Sequence, residues 1–404
     1  MILTLARTGM GEQMLNGFKS FVFFFTLLLF GLTVGSAVAI DGIVAASLDY
    51  GFFDKWRNTQ GEAMPMLSSA GTVAHKQNYT IYTLFSGYSV NADTIADVVM
   101  DVKIIAPSGK TYFGGTNVKV FNGKVMKPLH TLLSITNIEA DFENDDELGT
   151  YKIFITLKDK IAKKQKELKT KITLSNFKRV DMAMSEMSEM SDWMQSYYIS
   201  PDPLQALEVF LQMSAGELPE SFYLPFNSFF IEVFNNNEFL IPELLELYAT
   251  RQEIGKLTIL YLLSYLNYDA KEFYSKLPSE EIEYVDYLKT MDNPFNDNEI
   301  ESASHLDIQW TKFFASGAYD PILQLVNALQ FSEFLPDLEN YEKSDKSKEA
   351  ALRANKGAWY TAAKWSLESN CSQYVLVKDY CRYILNNEPL SESVKKDLKL
   401  IIGD

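Results

Sequence analysis

The spacing of the hydrophobic residues changes near residue 200, and this change limits what the 404-residue chain can fold into. Between residues 74 and 177 hydrophobic and polar residues alternate, most clearly from Tyr151 to Lys158. That period of two is typical of strands. From residue 201 hydrophobic residues recur every three or four positions, as Leu204 and Leu207 do, which is the helical period. We therefore predict a multidomain β + α chain.

The β part is predicted to span residues 74–177. About seven short strands in a hundred residues are typical of an immunoglobulin-like β-sandwich. Pro107–Lys110 is expected to form a turn, and Asn122–Gly123 is expected to form the turn of a hairpin. Residues 40–73 are predicted to be a separate N-terminal segment that is partly loop.

The helical part is predicted to span residues 201–404. About ten helical segments with short polar loops favour an all-α domain of stacked helical hairpins. Asp202–Pro203 is a helix-start signal, and Gly317 is expected to cap the end of another helix. Residues 178–200 are predicted to be a Met-rich linker between the two domains.

Residues 1–39 have the features of a secretory signal peptide. Lys19 precedes an apolar run from Phe21 to Val34, and Ala37 and Ala39 suit the cleavage site of signal peptidase. We therefore predict export to the periplasm, a mature chain that starts at Ile40, and no stable membrane span after cleavage. The alternative is an uncleaved anchor, because residues 21–40 are about long enough to cross a bilayer.

Charge is distributed unevenly and argues against one class of partner. Residues 40–180 hold 18 Lys and Arg against 15 Asp and Glu, for a net of +3, whereas residues 181–404 hold 17 against 37, for a net of −20. The whole chain has a net charge of −16. Nucleic-acid binding depends on Lys and Arg that neutralise phosphates, so nucleic acid is not expected as a partner.

The sequence contains no recognisable catalytic motif. Neither H-E-x-x-H nor G-x-S-x-G occurs, and the three His residues are far apart. We therefore predict no catalytic residue and no cofactor, and favour a protein that is not an enzyme. A hydrolase of an envelope polymer that uses carboxylates of the helical domain stays an alternative, because pairs of acidic residues cannot be recognised in a sequence.

The linker holds the candidate metal site. Met184, Met187 and Met190 are three residues apart, so a helix would place them near one face. Thioether sulfur is a soft ligand suited to Cu(I), which makes copper handling another alternative function. The competing interpretation is a linker whose Met side chains pack against a domain.

Two further sets of residues are candidates for special roles. Cys371 and Cys381 are spaced to meet across two antiparallel helices, where they would form a disulfide or remain buried thiols. Trp310, Phe314 and Trp365 would either line a binding patch between helices or belong to the core.

Three segments resemble known sequences. Gly149–Ile153 in the β part, together with Trp310–Gly317 and Trp365–Asn370 in the helical part, resembles uncharacterised exported proteins of Gram-negative bacteria. The resemblance implies a periplasmic location and the same order of domains, and it supplies no catalytic residue. With the export signal and the two modules, it favours an interaction or scaffold protein that binds an envelope protein through an edge or loops of the sandwich.

Overall fold

A computed structural model describes residues 39–59, 65–125, 130–180, 187–295, 300–341 and 346–403. Residues 1–38 of the predicted signal peptide lie outside these ranges, and so does Met184 of the candidate metal site. The described chain has a β region (residues 39–180) and a helical region (residues 187–403), so the predicted order of β and α parts is confirmed.

Nine strands form two sheets in the β region. The strands are β1 (Asp41–Ser47), β2 (Thr72–Val73), β3 (Tyr79–Ser86), β4 (Ile95–Ile105), β5 (Thr111–Lys124), β6 (Leu132–Leu133), β7 (Ile138–Ala140), β8 (Gly149–Asp159) and β9 (Lys164–Leu174). The antiparallel sheet has the order β1-β3-β6, and β7 also pairs with β3. The mixed sheet has the order β2-β9-β8-β4-β5, in which only β2 and β9 run parallel.

One helix lies in the β region and thirteen lie in the described helical region. They are α1 (Phe52–Arg57), α2 (Met187–Ser196), α3 (Pro203–Met213), α4 (Glu220–Asn235), α5 (Ile241–Tyr248), α6 (Glu253–Tyr265), α7 (Lys271–Tyr274), α8 (Ser279–Lys289), α9 (Ala303–Ser316), α10 (Tyr319–Asn327), α11 (Leu335–Asn340), α12 (Lys348–Gln373), α13 (Val375–Asn387) and α14 (Glu392–Ile402). Within the described ranges, no helix combines the length and apolar character that crossing a bilayer requires.

The two sheets share one hydrophobic core. Tyr79 and Phe85 on β3 meet Ile153 and Ile155 on β8 in this cluster. The alternation of buried and exposed residues along β8 directs every second side chain into the core, as its sequence predicted. The opposite face of β3 is covered by α1, where Phe52 packs on Tyr82 with ring centroids 5.0 Å apart. Strand β3 is therefore buried on both faces.

Within residues 40–73, β1 pairs with β3 along its length and β2 pairs with β9, so both strands extend the two sheets. One expectation for the β region was wrong. Asn122–Gly123 lies inside β5 and does not turn the chain, because pairing with β4 continues to Lys124. The turn at Pro107–Lys110 between β4 and β5 is confirmed.

The helical region begins earlier than its sequence pattern suggested. Helix α2, expected in a linker, packs into the helical core through Met190 and Met194, which are 6% and 4% exposed. The predicted helix ends are otherwise close to those observed. Asp202 caps α3 by accepting a hydrogen bond from the Gln205 backbone N–H, and Gly317 ends α9 in the left-handed conformation at φ 67°.

Candidate functional site

Helix α1 joins the β region to the helical region through very close backbone packing. A Cβ on Gly51 would lie 2.6 Å from the carbonyl oxygen of Ser316 at the end of α9, so only glycine fits there. Gly317 is enclosed in the same way by Lys55 and Tyr198. We call this contact, made by α1 with the chain around Tyr198 and the end of α9, the junction.

A buried ion pair lies at the centre of the junction. The ammonium of Lys55 is 2.9 Å from both carboxylate oxygens of Asp49 and donates a third hydrogen bond to the carbonyl oxygen of Tyr198. Burial raises the pKa of the Asp49 carboxyl, and the charge of Lys55 opposes that rise. Because an unpaired charge in such a place would be costly, these bonds hold the two regions in one arrangement.

A cavity of about 160 Å³ opens beside this ion pair. It is lined from the β region by Asp49 and Tyr50, and from the helical region by Tyr197, Glu232 and Asn237 among others. The hydroxyl of Tyr50 donates a hydrogen bond of 2.6 Å to the carbonyl oxygen of Asn78 and lies 3.5 Å from Oδ1 of Asn237. The cavity wall therefore carries several polar groups among apolar ones and comes from both regions.

Two groups of this cavity have polar atoms suited to a ligand. Tyr197 is 4% exposed, and its hydroxyl is buried with no hydrogen-bond partner among the described residues. Such a group carries a cost of about 1–3 kcal/mol unless something pairs with it. Burial raises the pKa of Glu232, while its hydrogen bond from Asn236 and the charge of Lys312 oppose the rise.

A larger and more open groove, of about 740 Å³, adjoins the cavity and shares Tyr50 and Asn236 with it. We call it the junction groove. Three carboxylates line it: Asp54 on α1, Glu139 on β7, and Asp141 just after β7. Asn and aromatic side chains supply most of the remaining wall, and none of the described lining residues is Lys or Arg.

The junction groove is an electronegative site. Burial raises the pKa of Asp54, and the charge of Asp320 raises it further. Burial also raises the pKa of Tyr82, whose hydroxyl lies within the influence of Asp49, Glu139 and Asp54. Arg57 partly offsets the charge of Asp54, and Lys76 partly offsets that of Asp141, but neither lines the groove. The three lining carboxylates therefore favour a positively charged ligand, and the size of the groove is in the range of sites for organic molecules and peptide side chains.

Only part of the candidate copper site lies among the described residues. Met190 is buried in the helical core, where it packs as a hydrophobic side chain. Met187 begins α2, and Met184 lies outside the described residues. Copper binding therefore stays a prediction.

Cys371 and Cys381 are close neighbours. Both are buried thiols, Cys371 near the end of α12 and Cys381 in the middle of α13, with their sulfur atoms 3.6 Å apart. The hydrogen bond to Cys371 and burial raise the pKa of the Cys381 thiol. The expected meeting of the two residues is confirmed, and the disulfide stays a prediction.

The three aromatic residues of the predicted binding patch have different environments. Trp310 and Phe314 stack on each other in the helical core, with ring centroids 6.0 Å apart, and are 7% and 8% exposed. Trp365 on α12 is 52% exposed and lies apart from that core cluster. Core packing accounts for Trp310 and Phe314, and only Trp365 is accessible to a partner.

The sequence predicted no functional role for any residue that lines the junction groove. The carboxylates of Asp54, Glu139 and Asp141 are separated by up to 87 positions and follow no motif. One signal was available. Residues 48–56 combine aromatic side chains with Asp49, Asp54 and Lys55, a composition that favours packing against a neighbouring element.

Comparisons with known proteins assign no family. No protein-family model matches the chain, and no curated protein matches it. Among solved structures, a family 123 glycoside hydrolase from Clostridium perfringens is similar over 35% of this chain, with 10% identity and a TM-score of 0.22. This chain spans only 28% of that hydrolase.

Two smaller structures resemble the chain to a similar extent. A CARDB domain from Pyrococcus furiosus, solved in complex with di-metal ions, has 9% identity and a TM-score of 0.19 over 34% of this chain and 90% of its own. A Niemann-Pick type C2 protein from the Japanese carpenter ant has 10% identity and a TM-score of 0.20 over 35% of this chain and 96% of its own. Scores this low support no functional argument.

Proposed function

We propose that this chain is an exported, periplasmic interaction protein whose junction groove binds a cationic segment of an envelope protein. The observation that carries the proposal is the groove itself, where three carboxylates face one opening and no described lining residue is basic. The two walls come from different regions, which the hydrogen bond from Lys55 to the Tyr198 carbonyl joins. A preformed site loses little conformational entropy on binding, which favours affinity.

The cavity next to the groove extends the proposed site. A group that enters from the groove would meet two hydrogen-bonding partners. The unpaired hydroxyl of Tyr197 would donate or accept a hydrogen bond, and the carboxylate of Glu232 would accept one. A Lys side chain suits this shape, because its apolar stem packs between Tyr50 and Phe53 while its ammonium meets carboxylates. Lys, rather than a bulky acidic or neutral group, is therefore the proposed anchor of the partner segment.

Peptide titration tests this proposal directly. A hexalysine peptide is expected to bind the purified chain at low ionic strength, and a hexaglutamate peptide is not. The double variant Asp54→Asn/Glu139→Gln should weaken hexalysine binding at least tenfold, or about 1.4 kcal/mol. The control Asp93→Asn/Glu349→Gln removes two exposed carboxylates elsewhere and should change binding little. If both double variants lost the same affinity for hexalysine, net charge alone would explain the effect and the proposal would be contradicted.

Crosslinking in the native envelope tests the partner. A photoreactive benzoylphenylalanine in place of Phe53, which is 38% exposed and lines the groove, is expected to capture one protein reproducibly. The same group in place of Leu400, which is 64% exposed on α14, is the matched control. If position 53 yields no product, or only the products seen at position 400, the groove is not the binding site.

Export is part of the proposal and has its own test. The pattern of residues 1–39 supports it, because Lys19, the apolar run Phe21–Val34 and the small residues Ala37 and Ala39 follow the order of a cleavable leader. The intact mass of the protein from its native envelope should correspond to a chain that begins at Ile40. A full-length mass would mean an anchored or unexported protein and would remove the periplasmic assignment.

We also propose a finer architecture for the β region and the helical region. An immunoglobulin-like sandwich is supported by two sheets that share one core and by the antiparallel pairing of β4, β5, β8 and β9. Stacked helical hairpins are supported by α12 and α13, which are separated only by Tyr374 and bring Cys371 against Cys381. The resemblance to exported proteins of Gram-negative bacteria belongs with this proposal.

Hydrolysis of an envelope polymer is a second candidate function, and one observation favours it. The groove brings together carboxylates in different environments, of which Asp54 has a raised pKa. Carboxyl groups in different environments, one of them with a raised pKa, are the arrangement used for acid and base roles in glycoside hydrolysis. These carboxylates belong to the β region, whereas the helical region was expected to supply them. Release of reducing ends from purified envelope polysaccharide, lost in Asp54→Asn, would establish this activity.

A further inference from the structure

The outward face of the mixed sheet is a basic surface. Neighbouring strands place Lys103, Phe154 and Lys169 in one row, and Lys152 stands directly opposite Lys171 in the next row. All four lysines are exposed, whereas Phe154 between them is half-buried. We call these five residues the lysine face.

The lysine face lacks internal charge compensation. None of its four lysines forms an ion pair within the described part of the chain. Of the acidic residues on the same side of the sheet, Asp101 is bound to Lys158, and Glu167 lies two positions from Lys169 along β9. Like charges directly opposite each other destabilise a sheet, so Lys152 and Lys171 carry a cost that an acidic partner would remove.

An acidic surface that is complementary in charge to the lysine face lies on α8. Glu280, Glu283 and Tyr287 are spaced by three and four residues, so they share one face of the helix, and all three are exposed. Tyr287 is 59% exposed, more than any other aromatic side chain in the described residues. Neither glutamate forms an ion pair among the described residues, whereas Asp286 nearby is bound to Lys289.

We propose that the lysine face of one chain binds the α8 surface of a second copy of the same chain. An aromatic residue lies among the charges on each side, which is the usual arrangement of an apolar centre with a polar rim in protein interfaces. The strongly acidic helical region would steer the basic sheet of a second copy toward it. Made twice about a twofold axis, this contact closes a dimer.

Charge reversal with complementation tests the proposal. The purified chain is expected to sediment as a dimer at low ionic strength and as a monomer in about 0.5 M salt, where the Debye length is only a few ångströms. Lys152→Glu/Lys171→Glu and Glu280→Lys/Glu283→Lys should each be monomeric, because each variant presents like charges on both surfaces. An equal mixture of the two variants should form a heterodimer, since both contacts are then complementary again.

Control variants and other occupants complete the experiment. Lys396→Glu/Lys399→Glu reverses two exposed lysines on α14 and should leave the dimer intact. A wild-type chain that stays monomeric at low ionic strength would overturn the proposal, as would a dimer that survives either reversal or variants that fail to associate when mixed. If a monomeric wild type instead binds vesicles of anionic phospholipid through the lysine face, the occupant is a lipid surface and the second copy is the wrong assignment.

Discussion

The ammonium of Lys55 donates a hydrogen bond of 2.9 Å to the backbone carbonyl of Tyr198, a residue 143 positions away. This bond crosses from the β region into the helical region, and the same ammonium neutralises Asp49. The geometry of the junction groove therefore depends on one buried cation, because α1 carries Asp54 next to Lys55.

Removal of that cation should loosen the junction. Lys55→Met leaves the Asp49 carboxylate buried without a partner, so we expect a loss of about 3–5 kcal/mol in the free energy of unfolding. Urea denaturation measures the loss, and Lys76→Met, which breaks an exposed ion pair, should have no measurable effect. The double variant Lys55→Met/Asp49→Leu should recover much of the stability, because it removes both charges. If Lys55→Met behaves like Lys76→Met, the pair does not hold the regions together.

Gly317 allows a second, steric test of the same contact. Gly317→Ala introduces a Cβ at φ 67° that would collide with Lys55 and Tyr198, so we expect destabilisation of about 3 kcal/mol. Gly109→Ala has a similar φ of 84° with nothing within 4 Å and should cost only about 1 kcal/mol. The difference between the two variants in thermal or urea unfolding reports the packing at the junction. Equal costs would mean that backbone strain alone explains both.

The two cysteines should form a disulfide under mild oxidation. Their sulfur atoms are 3.6 Å apart, and a shift of about 1.5 Å would bring them to bonding distance. We expect a denatured mass lower by two protons and a gain of about 2 kcal/mol in stability relative to the reduced protein. Cys371→Ser, which cannot form the bond, should show neither change. An oxidised wild type with both thiols still free to alkylation would contradict this prediction.

The carboxyl of Glu232 should make stability depend on pH. Burial raises its pKa above the ordinary value of 4.5, so the folded chain releases this proton at higher pH than the unfolded chain does. Ionisation therefore costs stability as the pH rises above 4.5, and below that value the cost is absent. Glu232→Gln should have a melting temperature that exceeds the wild-type value increasingly between pH 4.5 and neutrality.

Glu238→Gln, at an exposed position on the next turn, is the control for Glu232→Gln. Its melting temperature should differ from that of the wild type by the same amount at every pH. A Glu232→Gln curve parallel to the control curve would show that Glu232 carries no buried charge.

The amino-acid sequence alone determined the order of β and α parts and the ends of several helices. Side-chain alternation along β8, the capping side chain of Asp202 and the left-handed Gly317 act on neighbouring residues, so their effect can be read locally. The approach of Cys371 to Cys381 was also predicted from local spacing, because the two residues are ten positions apart across a short connection between consecutive helices.

Only the tertiary structure decided the remaining features. The Asn122–Gly123 turn signal was overridden because β4 offers hydrogen-bond partners as far as Lys124. The junction ion pair and the acidic groove join residues far apart in the chain, whose meeting depends on how the two regions pack. A sequence records that Lys55 and Asp54 are charged, but burial and distance set whether each charge stabilises the fold or faces a ligand.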